Sequence, residues 1–505
     1  MRVYGWYASA CAAEPFIVSA VSTYVPLLLA DLARHIGVRL DDKVSPCVDS
    51  SLGASLGASL GEQQCVVKIW KWYVDSTSLP LYVMSVSIVL QIVFMLSVTG
   101  IADRTQHSKF LLIALAMAGG VLTIMLGSTE FEDYIRPSLL FILASGFFGA
   151  MNVCANAFLP KLATSTFHSQ QSRLVANNDR FHGAYSGEYS TSPSEDVIAI
   201  SSIGTDISSK GAGSGYVAAL VVHIITIYIV KSTHSLSTAI SFIGWWWLLG
   251  QGVVFWGLDE NELLAEFYTH SSWSMLLSYG WTQLLEMFRH VNRLKDISIF
   301  LIGWFLLSDG LTTINSTAIL FARTNLEMET SGLAIVGLIT ILFAIFGAFY
   351  VGPKLDPSKA MITIALAALV IPLYGILGFV VPYFGLKHAC EMYILAIVYG
   401  TLLGAVQTIS RALYATLIPE SGEAIFFAFF AVTGKGSSVL GPIITGMITD
   451  YTHNIRYAFY FLFTLMALSA YTFSFVDYNR GRQEAADYVI SDANEISIAL
   501  PENEM

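Results

Sequence analysis

Long apolar runs dominate this chain and leave it few folds to choose from. The run from Gly5 to Leu29 carries a single charge, Glu14. A helix crosses the hydrocarbon core of a bilayer with about 20 apolar residues, and this run is long enough. Further runs of this kind follow at about 79–101, 109–127, 138–160, 214–231, 236–257, 297–320, 332–352, 360–382, 391–414, 424–448 and 456–476. A bilayer offers no water to backbone groups, so each run has to satisfy its own hydrogen bonds as a helix. Only 12% of the 505 residues are charged, against about 25% in a soluble domain. The expectation is an all-α membrane protein with twelve transmembrane helices. The first run lacks a cleavage-site pattern and is read as a signal anchor.

Positive charge sets orientation. With the N-terminus cytosolic, fifteen Lys and Arg residues fall in the tails and cytosolic connections, and five in the short connections opposite. Both termini are therefore expected in the cytosol. The organisation reads as an N-terminal half over 1–257, a linker over 258–296, a C-terminal half over 297–476 and a cytosolic tail over 477–505. The N-terminal half includes a lumenal loop of about 30–78 and a Ser/Asn/Gly-rich cytosolic loop of about 161–213, expected to be disordered. The lumenal loop contains the repeat SLGASLGASLG, Ser51 to Gly61. In the linker, Leu276, Leu277, Trp281, Leu284, Leu285 and Phe288 recur at helical spacing. That spacing reads as an amphipathic helix, either at the membrane interface or packed on the bundle ends.

The two halves match in layout. The second helix ends in TGIADRTQHSK, Thr99 to Lys109, and the eighth in VGPKLDPSK, Val351 to Lys359. Two six-helix halves with equivalent hinges is the major facilitator arrangement. The first hinge resembles that superfamily's gating loop motif in Gly100, Asp103, Arg104 and Lys109, with Gln106 and His107 departing from it.

Ionisable residues at membrane depth are costly and usually functional. Glu14 in helix 1, Asp309 in helix 7 and Lys435 in helix 11 stand out, with Arg411 near the end of helix 10. An amino acid needs an acid for its amine and a cation for its carboxylate. Glu14 and Asp309, facing each other across the pseudo-twofold axis, suit the first role and Lys435 the second. Either carboxylate could instead carry a proton, and Lys435 could instead pair with one of them. Asn152 and Asn156 share one face of helix 4, and Gln91 and Gln407 are further amides within spans. Pro15 and the Gly434 to Gly446 cluster suit helices that bend.

A net charge of −11 argues against nucleic acid as a partner. No phosphate-cradling Gly-Lys-Ser/Thr loop is present, His residues lack metal-ligand spacing, and no cofactor or enzyme constellation emerges. Cys47 and Cys65 share the lumenal loop and are candidates for a disulfide. The sequon at Asn315 falls within or at the end of helix 7.

Three long strings resemble the fungal autophagy-related vacuolar amino-acid effluxers: Gly5 to Leu29, Ser278 to Phe321 and Gly434 to Phe461. The resemblance implies a major facilitator fold in the vacuole membrane. It further implies export to the cytosol of neutral amino acids such as leucine, isoleucine and tyrosine, released by autophagic breakdown. Protons are the candidate coupling ion. The competing readings are a non-transporting receptor or scaffold in vacuolar degradation, an intramembrane hydrolase, and a transporter of another cargo.

Overall fold

The structure is a computed structural model that describes residues 2–47, 65–69, 72–104, 108–129, 133–181, 193–258, 273–291, 294–355, 359–419 and 423–485. The first span is one long rod with a change of pitch. Helix α1 (Arg2–Pro15) passes into a π-helical segment (Phe16–Tyr24) and then into α2 (Val25–Ile36). Pro15 lacks the N–H that an α-helix would use there, and the wider π turn follows it directly. The rod thus runs past the expected end near 29, to Ile36.

The described part of the loop beyond it is folded. Strands β1 (Val38–Arg39), β2 (Cys65–Ile69) and β3 (Trp72–Asp75) form an antiparallel sheet in the order β1-β2-β3. Cys47 and Cys65 are disulfide-bonded, with Cα atoms 6.0 Å apart. The SLGASLGASLG repeat lies outside the described residues.

Five helices complete the first half: α3 (Ser78–Arg104), α4 (Ser108–Gly127), α5 (Ile135–Phe181), α6 (Pro193–Thr233) and α7 (Leu236–Gly257). Within the loop of about 161–213 expected to be disordered, the described residues are helical: α5 continues to Phe181 and α6 begins at Pro193. Extending an existing helix adds one bond per residue without a new nucleus, so Ser- and Asn-rich sequence can follow a membrane span as helix. Residues 182–192 lie outside the description.

The amphipathic linker is α8 (Trp273–Val291). Its apolar residues divide between two faces. Leu276 is buried, while Leu277, Trp281, Leu285 and Phe288 are exposed. The buried face meets α3 at near-contact of backbones: a Cβ at Gly280 would strike the Leu96 carbonyl, and one at Gly100 the Leu276 carbonyl.

The second half comprises α9 (Lys295–Thr324), α10 (Thr330–Phe346), α11 (Ala360–Leu377), α12 (Ala389–Ala415), α13 (Glu423–Ser437), α14 (Leu440–Thr452) and α15 (Ala458–Phe473). Among the described residues, ten helices are long and apolar enough to cross a membrane. An eleventh is reached if Ile455–Phe473 and Tyr478–Ala485, bent by 63°, count as one span. The remaining expected span, about 424–448, is divided into the shorter α13 and α14. The tail after the last span begins folded onto α9. The Arg480 guanidinium donates to both Asp296 carboxylate oxygens, at 2.6 and 2.7 Å.

Two apolar cores result. One gathers Phe16, Phe141, Phe158 and Trp247; the other gathers Phe300, Phe321, Tyr414, Phe459 and Phe473. They exchange a few residues. Leu27, Ala30 and Leu81 sit in the second core, and Ala334 sits in the first. All four lie toward the end of the bundle that carries the sheet. There the halves are also tied by polar contacts. Arg323 bridges to Asp31 at 3.2 Å. Asp450 accepts from the Asp75 N–H at 2.8 Å and from the Tyr82 hydroxyl at 2.7 Å. Ser78 donates to the Gly446 carbonyl at 3.2 Å.

Candidate functional site

Glu14 ends the α-helical turn before Pro15, and α6 comes close to it because residue 215 is glycine. A Cβ at Gly215 would already touch the Glu14 side chain at 3.2 Å. The next residue, Tyr216, is within electrostatic reach of Glu14 and of Arg411 on α12. Lys435, on α13 of the other half, is within electrostatic reach of Glu14. Among the described residues neither Glu14 nor Lys435 makes an ion pair within 4.0 Å.

Exposure shows what lies between them. Lys435 is exposed and Glu14 half-buried, although both sit well inside spans. Tyr216 is 41% exposed. A side chain facing lipid could not be an electrostatic neighbour of a residue on the opposite half. These groups therefore face the seam between the halves, which is polar at this level. They belong to the portions of α1, α6, α12 and α13 toward the α8 end, whereas the inter-half ties described above lie toward the sheet end. The inter-half ties thus hold the seam at the sheet end, while Glu14, Tyr216, Arg411 and Lys435 lie on its α8 side. One side of the seam carries an acid, the other a lysine, with a phenol and a guanidinium nearby.

Asp309 does not join this cluster, so the expected pairing of Glu14 with Asp309 across the pseudo-axis is not found. Asp309 is 2% exposed and accepts the Gly441 N–H at 2.9 Å. It lies where α9 packs against α14, inside the second half. A Cβ at Gly441 would collide with Thr313 and Asp309, so glycine permits this approach. Among the described residues Lys435 likewise makes no salt bridge that would lock a conformation.

The amides divide. Asn152 donates to the Phe148 carbonyl of its own helix at 3.1 Å, and Asn156 is exposed. Gln91 is buried and Gln407 exposed. Of the gating motif, Gly100 is buried against α8. Asp103 and Arg104 form the last turn of α3, their side chains outside the description. The Lys109 ammonium sits 5.1 Å from the centre of the Phe255 ring. Gln106 and His107 lie outside the described residues.

Two polar residues within spans escaped the sequence reading. Tyr216 gave no signal, because a tyrosine at a helix end is common. His223, in the apolar string VVHII, did give one: an imidazole at membrane depth is as unusual as Glu14.

A family profile described as "Vacuole effluxer Atg22 like" matches residues 1–486. Autophagy-related protein 22 of Saccharomyces cerevisiae (strain ATCC 204508 / S288c) is 36% identical, covering 100% of this chain and 95% of the relative. The protein of that name in Kluyveromyces lactis is 39% identical, covering 96% and 95%. Among solved structures, the xylose transporter XylE from E. coli superimposes with a TM-score of 0.57 at 13% identity, covering 94% of this chain and 100% of that one. The nucleoside transporter NupG gives 0.54 at 14% identity, covering 94% and 97%. At such identity the two transporters speak for the fold alone, a major facilitator fold. The match along nearly the whole sequence speaks for the family: this multi-pass membrane protein belongs to the Atg22-like vacuole effluxers.

Proposed function

We propose that the chain is a secondary transporter of the vacuole membrane that exports neutral amino acids from lumen to cytosol by alternating access. One observation carries the reading. A carboxylate on one half and an ammonium on the other face a shared polar seam without neutralising each other. A zwitterion presents the complementary pair: its amine suits Glu14 and its carboxylate suits Lys435. Tyr216 and Arg411 add a hydroxyl and a second cation. An apolar side chain leaves the charge balance unchanged, which favours neutral amino acids over acidic or basic ones.

The direction proposed rests on the orientation expected from charge placement. With both termini cytosolic, the sheet and its disulfide face the lumen, where disulfides persist. The conformation described is then the cytosol-open, releasing one. Asp309, sequestered within the second half and apart from that seam, is the residue suited to carry a proton if transport is proton-coupled.

Vacuolar vesicles loaded with labelled leucine test this. Loss of the protein slows efflux, and Glu14→Gln or Lys435→Met each lowers it at least about tenfold, since a charge of the bound zwitterion loses its principal complement. Unchanged efflux in the vesicles lacking the protein sinks the reading.

A further inference from the structure

His223 of α6 is completely buried and plays no part in that polar cluster. Its two ring nitrogens face opposite halves of the molecule. Nδ1 lies 2.9 Å from the Ser19 hydroxyl, in the π-helical segment of the first rod. Nε2 lies 2.9 Å from the Ala334 carbonyl oxygen, on α10 of the second half. A carbonyl can only accept, so Nε2 carries the hydrogen and donates it across the interface. In the neutral ring Nδ1 then accepts from Ser19. The ring also stacks on Tyr24, centroids 5.6 Å apart. The Tyr24 hydroxyl is in turn 2.8 Å from Thr226 on α6.

The second half is shaped to receive this ring. A Cβ at Gly337, one turn beyond Ala334, would stand 3.0 Å from both His223 Nε2 and the Thr23 hydroxyl. Glycine there lets α10 close on the imidazole. Through Ser19 the same ring holds the π segment, which begins at Phe16, two residues after Glu14.

From this geometry we infer that His223 is the positioning residue of the transport cycle. Its N–H latches α10 while the sheet end is closed, and its Ser19 contact relays the latch to the segment that places Glu14. When the halves rock, a buried donor and a buried carbonyl must part together, which resists opening. The inference rests on the alternating-access reading but not on the identity of the cargo.

The test measures conformation rather than transport. Ala30 is 1% exposed and packs into the opposite core at the sheet end. Ala30→Cys is introduced in full-length protein with Cys11, Cys154 and Cys390 replaced by Ser, then reconstituted in vesicles. A membrane-impermeant maleimide is applied from the sheet-end side. His223→Ala should raise the labelling rate about tenfold, the order expected when a buried hydrogen bond is removed. Gly337→Ala, which leaves the histidine in place and crowds it, should raise it in the same direction. His223→Gln keeps an amide donor and should label within about twofold of the parent. Labelling of Gly337→Ala at the parent rate, or of His223→Gln at the rate of His223→Ala, overturns the latch. Should His223→Ala fail to fold, those other two variants decide alone. Because leucine is absent from this assay, a failed latch and a failed cargo assignment are read separately.

Discussion

Asp75 closes β3 with its carboxylate turned inward, 7% exposed. Burial pushes its pKa up, and the Asp450 carboxylate pushes the same way. The Thr77 N–H and hydroxyl, at 2.9 and 2.7 Å, and His453 pull it down without cancelling the rise. Arg34 is the other charge in electrostatic reach. A carboxyl with a folded value above its unfolded one, about 3.9, prefers its proton when folded. Its contribution is full below the unfolded value and fades as pH rises through the folded one. Acid therefore favours the folded state through this carboxyl. Asp75→Asn should flatten the dependence of thermal stability on pH from about pH 4 upward; a melting profile that keeps the parent's slope counts against this. At the same scale, Glu14 and Asp309 are each a lone carboxylate in an apolar run, and nothing local tells them apart. What separates them is the company the fold supplies: the seam between the halves for Glu14, and the Gly441 N–H with a helix seam for Asp309.

Elements were legible to the extent that hydrophobicity alone defines them. The runs around α3, α4, α7 and α9 to α12 are helices near their expected positions, because a membrane admits little else for such sequence. Ends were harder to read, since a helix can leave the bilayer without interruption, as α2 and α5 do. The interruptions were partly foreshadowed: Pro15 precedes the π segment, and the Gly434 to Gly446 cluster straddles the break between α13 and α14. The partner chosen by α8 was not foreshadowed. It lies along α3 through Gly100 and Gly280 and reaches the second half where Phe288 meets Phe429, ring centroids 4.9 Å apart. Gly280→Leu should lift α8 off α3, since overpacking of this kind costs about 1–3 kcal/mol. Limited proteolysis would register the change as faster cleavage within α8, with the rest of the chain protected as before. Equal cleavage rates would show that the close approach does not hold α8 in place.

On the scale of the whole molecule, the alternating-access proposal needs the halves to be tied at one end while the other parts. The Asp31–Arg323 bridge is one of those ties. Its partners are 22% and 27% exposed, and Arg323 also donates to the Met328 carbonyl at 3.3 Å. A pair this accessible contributes about 0.2–1 kcal/mol. Arg323→Gln should therefore raise Ala30→Cys labelling by no more than about fivefold, less than the loss of His223. An effect as large as that of His223→Ala would mean the ion pair, not the buried imidazole, dominates the closed state.

By itself, the sequence determined the solvent this protein lives in, the helical answer to that solvent and the pairing of its two halves. Each of these is set by hydrophobic length, by charge placement or by repeated spacing along the chain. Tertiary structure alone decided which polar residues share the seam between the halves. Lys435 meets Glu14 across some 420 residues of intervening chain, and His223 finds a carbonyl 111 residues away. Such meetings depend on how two halves dock. Docking is governed by small residues and exchanged core side chains at the interface, which leave no periodic trace in the sequence.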